Sequence, residues 1–239
     1  MFKFIIILLL AISFSLLGNT SKISKNLKEE ITKNNKKNKV SFVVFDLDNT
    51  LINTNARYEI IFNNYLKKHP LRVIKNYLKE KSFININLNS ILTDIDKLKL
   101  TDKQKEKLKK YLKEEFNSEK ILNSDIINEN VVDFITELHK NGAFIIYMTK
   151  RNHKDLVVTI NTLNKFKFPI GVNKTTLIMN TPNIKKTLFQ WVKMGKIIGV
   201  FNSDINTLNL LKPYFKTNKL FYINQNTVKD DKITTIKGF

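Results

Sequence analysis

Asp46 and Asp48 stand two residues apart in VVFDLDNTLINT, residues 43–54, directly after four apolar or aromatic positions. A buried strand has no use for acids, so the pair marks the place where a strand ends and a loop begins. Two carboxylates in a tight loop can divide labour, one attacking an electrophile while the other gives or takes a proton, provided their surroundings separate their pKa values. The same spacing also suits a calcium-type acidic loop or a helix cap with spare charge, and the DxD pair alone does not choose among these readings.

The elements that must position the pair are legible around it. The runs SFVVFD (41–46), AFIIYM (143–148), TTLIM (175–179), KIIGVF (196–201) and KLFYI (219–223) are short, β-branched or aromatic, and predict strands. Segments of helical period lie between them: Val131, Phe134, Ile135 and Leu138 share one face before Asn141-Gly142, and Leu156, Ile160 and Leu163 share another. This alternation predicts an α/β domain built on a doubly wound parallel sheet. In such a sheet ligands bind outside the carboxyl ends of the strands, which is where Asp46 and Asp48 fall.

One interval breaks the rhythm. Residues 47–142 separate the first predicted strand from the second, far more than a crossover requires. Within it Tyr58, Ile61, Phe62 and Tyr65 form an apolar stripe, and Thr101-Asp102-Lys103-Gln104 reads as a capping box opening a helix with Leu108, Tyr111 and Leu112. The interval predicts a helical insertion over residues 55–125, set over the end of the first strand as a cap or lid. The sheet domain then comprises residues 40–54 and 126–239.

Upstream, Phe4 to Leu17 is an apolar run interrupted only by Ser13 and Ser15. It has the length of a signal-peptide core and falls short of the roughly 20 residues that span a bilayer comfortably. Residues 1–20 therefore predict an export signal, with an uncleaved membrane anchor as the alternative. The expected location is the periplasm or the membrane surface, held there through residues 4–17. Residues 21–39 are polar and rich in Lys and Asn, and predict a tether. The absence of cysteine excludes disulfides, thiolate metal sites and a lipid-anchored lipoprotein. The formal net charge is +20, from 41 Lys+Arg against 21 Asp+Glu. Lys, Asn and Ile are enriched throughout, so the charge reads as compositional. No stretch interleaves aromatics with Arg as a nucleic-acid platform would, and no specific nucleic-acid partner is expected. Nothing in the sequence fixes an oligomeric state.

FDLDNTL resembles the first signature of the haloacid dehalogenase superfamily, whose members mostly hydrolyse phosphate esters through an aspartyl-phosphate. The resemblance implies that Asp46 is the nucleophile and Asp48 the general acid/base. Thr149 in FIIYMTKRN matches the second signature, and Lys185 or Lys186 in NIKKTLFQW the third, with Lys185 favoured by spacing; these residues would bind the phosphoryl oxygens. Residues 115–151, KIIGVFNSDINTLNLL and the closing ITTIKGF are similar to a bacterial group of these hydrolases, and the insertion occupies the place of a C1-type helical cap. Two departures stand out. Lys150 replaces the Gly usual in that group, and Asn202 stands where an Asp would complete a magnesium shell. An Asn carbonyl can bind Mg²⁺ without the formal charge a hard cation prefers, and Asp204, two residues on, is the alternative ligand. The implied metal set is Asp46, the backbone carbonyl of Asp48, and Asn202 or Asp204. The function implied is a Mg²⁺-dependent phosphohydrolase for a small phosphorylated substrate at the cell envelope; the alternative is a catalytically silent relative that binds an envelope partner, favoured by Asn202.

Other residues carry weaker signals. His69, His139 and His153 lack metal-ligand spacing, although His153 lies close enough to Thr149 to reach a substrate. Trp191 reads as core. Arg is so rare, at positions 57, 72 and 151 only, that Arg151 beside Thr149 stands out; a salt bridge to a core loop is its expected role.

Overall fold

The computed structural model describes residues 20–83, 88–128, 130–181, 183–215, 219–224, 228 and 230–237. The expected export signal lies outside them, apart from Thr20. Strand β1 (Val40–Asp46) occupies the middle of a six-stranded sheet with β4 (Phe144–Met148), β5 (Thr175–Ile178), β6 (Gly195–Asn202), β7 (Leu220–Ile223) and β8 (Ile233–Ile236). Its order is β5-β4-β1-β6-β7-β8, and every pairing is parallel.

β1 is apolar from Phe42 to Phe45 because both of its faces are covered. Successive side chains point to opposite sides, so Val43 and Phe45 enter one core layer and Phe42 and Val44 the other. The first layer is closed by α7 (Val131–Lys140), through Val131, Phe134, Ile135 and Leu138, and by α8 (Leu156–Lys165), through Leu163. Gly142, at φ 98, supplies the left-handed residue that ends α7. The second layer is closed by α9 (Ile184–Val192), through Leu188, and by α10 (Ile205–Leu211), through Leu208 and Leu211.

Two elements differ from the sequence expectation. Residues 20–35 are not a tether but a helix, α1, whose Ile23, Leu27 and Ile31 are buried in the first core layer. Three apolar residues at four-residue spacing are enough to close a sheet face that α7 and α8 leave open; Asn34, also buried, donates to Ser41 of β1 at 3.0 Å, and the Lys residues fill the outer side. Ser24 Oγ donates to Glu137 at 2.8 Å and Lys219 pairs with Glu30 at 2.6 Å, which fixes α1 to both α7 and the strand end before β7. β8 (ITTI) was not among the expected strands, and its two isoleucines are buried at the sheet edge.

The interval between β1 and β4 holds α2 (Asn55–Lys68), α3 (Arg72–Glu80), α4 (Leu88–Lys97), α5 (Asp102–Glu115) and α6 (Glu119–Leu122). Tyr58, Ile61, Phe62 and Tyr65 are buried against Leu108, Leu112 and Ile121 in a core separate from the sheet layers. The capping box forms: Thr101 Oγ1 accepts from the Gln104 amide and Gln104 Oε1 accepts from the Thr101 amide. At its base β2 (Ile52–Asn53) pairs antiparallel with β3 (Ile126–Ile127), a two-stranded ribbon that brings the two ends of the insertion together.

Candidate active site

β1 lies at the topological switch of the sheet, since the chain passes from β5 on one side of it to β6 on the other, and in such sheets ligands bind beyond the carboxyl ends of the strands at that point. Asp46 pairs with Met148 and Phe45 with Phe201, so Asp46, Thr149 and Asn202 finish three adjacent strands at one sheet edge. The loop that follows is wound about Leu47. Its side chain is buried, and its carbonyl accepts from the amides of Thr50, Leu51 and Ile52 at 3.2, 2.9 and 3.0 Å. Asn49 takes the left-handed conformation at φ 60, one that Asn tolerates better than most residues. Thr50 is buried; its hydroxyl donates to Asp46 Oδ2 at 3.2 Å and accepts from the Ser203 amide at 2.9 Å, tying the loop to the end of β6.

The two carboxylates sit in different fields. Burial and then the neighbouring charge of Asp48 push the pKa of Asp46 up to about 7, against the smaller opposing effects of Thr50 and Lys150. Partial burial alone would raise the pKa of Asp48, but the guanidiniums of Arg151 and Arg57 outweigh it and hold the carboxyl well below the usual range. Arg151 reaches it with Nε to Oδ2 at 3.0 Å and Nη2 to Oδ1 at 2.6 Å, and Arg57 with Nη2 to Oδ1 at 2.8 Å. Arg151 thus makes the salt bridge expected of it.

The remaining sequence candidates divide into two sets. Thr149 is buried beside Asp46, its hydroxyl accepting from the Arg151 amide at 3.1 Å and its carbonyl from Thr181 Oγ1 at 3.1 Å. Asn202 is also buried, and its Oδ1 accepts from the Asp204 amide at 2.7 Å. Asp204 caps α10, accepting from the Asn206 amide at 3.0 Å and from Thr207 Oγ1 at 2.8 Å. Lys185 and Lys186 are exposed in the first turn of α9. The ammonium of Lys185 lies 4.4 Å from the centre of the Tyr214 ring, a cation–π contact, and Lys186 donates its amide to Asn183. The ammonium that meets the cluster is Lys150, paired with Asp204 Oδ2 at 3.5 Å.

The sequence reading missed Arg57 and Asp125. They form a doubly hydrogen-bonded pair, Nε to Oδ1 and Nη2 to Oδ2 both at 2.6 Å, with both side chains 0% exposed. A signal was present: Arg57, Ile61 and Tyr65 are spaced by four, which places a rare arginine on the buried face of α2. The histidines serve elsewhere, His139 on the carbonyl of Asn173 at 2.8 Å and His69 against the ring of Tyr65.

Asp46, the Asp48 carbonyl, Asn202 and Asp204 offer oxygen only, the donor chemistry of a hard dication. No group of three His, Cys, Asp or Glu suited to a metal occurs among the described residues, so a carbonyl oxygen has to complete any such shell. A cation would also supply the charge whose lack raises Asp46. On donor chemistry the residues fit Mg²⁺.

The family model for haloacid dehalogenase-like hydrolases matches residues 43–186. The chain belongs to this family. The match runs from β1 to the first turn of α9 and takes in Asp46, Asp48, Thr149, Lys185 and Lys186; Asn202 and Asp204 fall beyond it. Among solved structures, this hydrolase is similar to a protein described as a β-phosphoglucomutase from Thermotoga maritima, at 12% identity and a TM-score of 0.55, with 82% of this chain and 93% of that chain covered. A haloacid dehalogenase-like family hydrolase from Streptococcus pneumoniae is similar at 12% identity and a TM-score of 0.53, covering 78% and 86%. A class C acid phosphatase from Bacillus anthracis follows at 13% identity and a TM-score of 0.46, covering 77% of this chain; the hydrolase spans 61% of that phosphatase's length. No curated protein matches the sequence. The first two likenesses bear on the fold, the parallel sheet flanked by helices.

Proposed function

We propose that this hydrolase is a Mg²⁺-dependent phosphohydrolase that acts through an aspartyl-phosphate on Asp46 and takes a small phosphate ester at the cell envelope. One observation carries the reading: at the switch point of the sheet, beside Thr149, two carboxylates are held in opposite electrostatic environments. Mg²⁺ bound to Asp46 would bring that carboxyl back to the ionised state a nucleophile needs, and Asp48, ionised in the field of two guanidiniums, has to take up a proton before it can act as an acid.

In this mechanism Asp46 ionises and its proton passes to Asp48; a carboxylate oxygen of Asp46 then attacks phosphorus in line, and the bond from phosphorus to the leaving oxygen breaks as that oxygen takes the proton from Asp48. The Thr149 hydroxyl and the Lys150 ammonium bind the phosphoryl oxygens, Lys150 taking the part first expected of Lys185 or Lys186. A water then attacks the same phosphorus, giving its proton to Asp48, and the bond to Asp46 breaks to release phosphate. Asp46, the Asp48 carbonyl and Asn202 or Asp204 would hold Mg²⁺, which would supply positive charge to the nucleophile and the phosphoryl group. Helices α2–α6 act as the cap that keeps bulk water from the acyl phosphate. The envelope address rests on the apolar run at residues 4–17.

A second reading, the silent relative, is favoured by the oxygens of Asn202 and Asp204, which are turned to the Asp204 amide and to the cap of α10. Hydrolysis of an aryl phosphate, measured with Mg²⁺ and with chelator beside Asp46→Asn, separates the two. Metal-dependent turnover lost in Asp46→Asn supports the phosphohydrolase, and equal inactivity of both proteins across divalent metals supports the silent relative.

A further inference from the structure

Arg57 is the first buried residue of the insertion, and three other segments of the chain, at Asp48, Phe116–Asn117 and Asp125, converge on its guanidinium. It is bound to Asp125, which leads the chain back from the insertion toward the sheet, and to Asp48 in the loop after β1. Its Nη1 donates to the Phe116 carbonyl at 3.5 Å and to Asn117 Oδ1 at 3.4 Å, just beyond α5, and the group lies 4.9 Å from the centre of the Phe116 ring. Asn117 in turn donates to Asp155 at 3.3 Å, and Arg151 lies 3.8 Å from Asp125 Oδ2 while it holds Asp48. A guanidinium is planar and always charged, so its fork fixes direction as well as distance. Three guanidinium bonds fall on the two oxygens of Asp48, two of them on Oδ1. The side chain is still 26% exposed, so part of the carboxyl remains open to solvent.

We propose that Arg57 is a positioning residue for Asp48: the insertion, through Arg57 and Asp125, sets the orientation of the acid/base carboxyl, so that cap seating and proton transfer are coupled through one buried guanidinium. The catalytic half of this inference rests on the phosphohydrolase reading above, and the linkage itself does not. Arg57 touches no substrate in this scheme, because its side chain is 0% exposed. It acts by fixing where Asp48 points. Asp48 serves the leaving oxygen only when that oxygen is a poor leaving group, so misalignment should be felt by alkyl phosphates and hardly at all by activated aryl phosphates.

The full-length chain carries only three arginines, 57, 72 and 151, and Arg72 is exposed. Selective ¹⁵N-arginine labelling therefore gives three Nε–H signals, two of them expected to be protected from exchange. Asp48→Asn should shift both protected signals, and Asp125→Asn should shift that of Arg151 as well as that of Arg57. An Arg57 signal that ignores Asp48→Asn overturns the linkage whether or not the protein turns over any ester. In parallel, kcat and KM are measured for an alkyl and a nitrophenyl phosphate with wild type, Arg57→Lys and Arg57→Met. Positioned acid/base groups contribute about 10²–10⁴-fold, so kcat for the alkyl ester should fall on the order of 10²-fold in Arg57→Met. The aryl ester should change by less than about threefold, KM should hold for both, and Arg57→Lys should recover part of the loss. Equal losses on both esters mean that Arg57 is merely structural. If Arg57→Met does not fold, Arg57→Lys carries the same comparison. Coupled NMR signals in a protein that hydrolyses neither ester would sink the phosphohydrolase reading and leave the linkage standing.

Discussion

Replacing Asp46 with Asn should stabilise the protein, and by an amount that depends on pH in a fixed sense. The carboxyl has an ordinary pKa of 3.8 and is pushed up to about 7 in the native state, chiefly by burial. Below pH 4 it is protonated in both native and unfolded chains and makes no difference to stability. As pH rises from 4 to 7 the unfolded chain releases the proton first, so the native state loses about 1.4 kcal/mol per pH unit. Above pH 7 the loss is complete, at about 4 kcal/mol. Asn keeps an acceptor for the Thr50 hydroxyl and does not titrate. Urea unfolding of wild type and Asp46→Asn in chelator should give a stability gap that widens between pH 4.5 and 8 by about 3–4 kcal/mol. In thermal unfolding this is on the order of 10 °C for a chain of this size. Every other titrating group is common to both proteins, so the change in the gap isolates Asp46. Added Mg²⁺ at pH 8 should narrow it, because a cation bound to the native state supplies the missing charge. A gap that stays flat from pH 4.5 to 8 would refute the electrostatic description of the site.

Further outcomes follow from the same structure. Ile31→Ala should cost about 2–5 kcal/mol in urea unfolding if α1 is a true core element, against nearly nothing for a tether. Gly195→Ala should destabilise by about 1–3 kcal/mol, because a Cβ there would meet the Val40 carbonyl at 2.5 Å and the Phe42 ring at 2.7 Å where β6 begins to pair with β1. Lys150→Gln should weaken inhibition by inorganic phosphate about two- to fivefold, the scale of an exposed ion pair, whereas Lys185→Gln should leave it unchanged.

The parts of this molecule legible in its sequence are those with strong local signals. The five expected strands follow from short β-branched, aromatic or apolar runs, because a parallel sheet covered on both faces needs no strict polar alternation. The Asp46–Asp48 pair was readable because acids after such a run have no structural purpose, and the capping box at Thr101 because its partners are three residues apart. The elements that were not legible depend on distant partners. α1 has only Ile23, Leu27 and Ile31 to bury, and nothing local says that a sheet face awaits them. β8 is four residues whose pairing is decided by β7. Lys185 was placed by its spacing, but a flexible side chain goes where it finds a partner, here the ring of Tyr214. Asp125 lies outside any motif, and its pairing with Arg57 joins residues at opposite ends of the insertion. Arg57 was readable in principle, one polar residue on an otherwise apolar helix face, and the rarity of arginine in the chain was the clue.

The most direct test of the aspartyl-phosphate is to trap it. The full-length protein is mixed with Mg²⁺ and an excess of aryl phosphate, quenched with borohydride and mapped by peptide mass spectrometry. Reduction of an acyl phosphate at Asp46 would convert that side chain to homoserine, and the modified peptide should be the one containing residues 43–54, absent without substrate and absent from Asp46→Asn. Turnover of the ester with no reduced product at position 46, or with the reduced residue at Asp48 or Asp204 instead, would contradict the assignment of Asp46 as nucleophile.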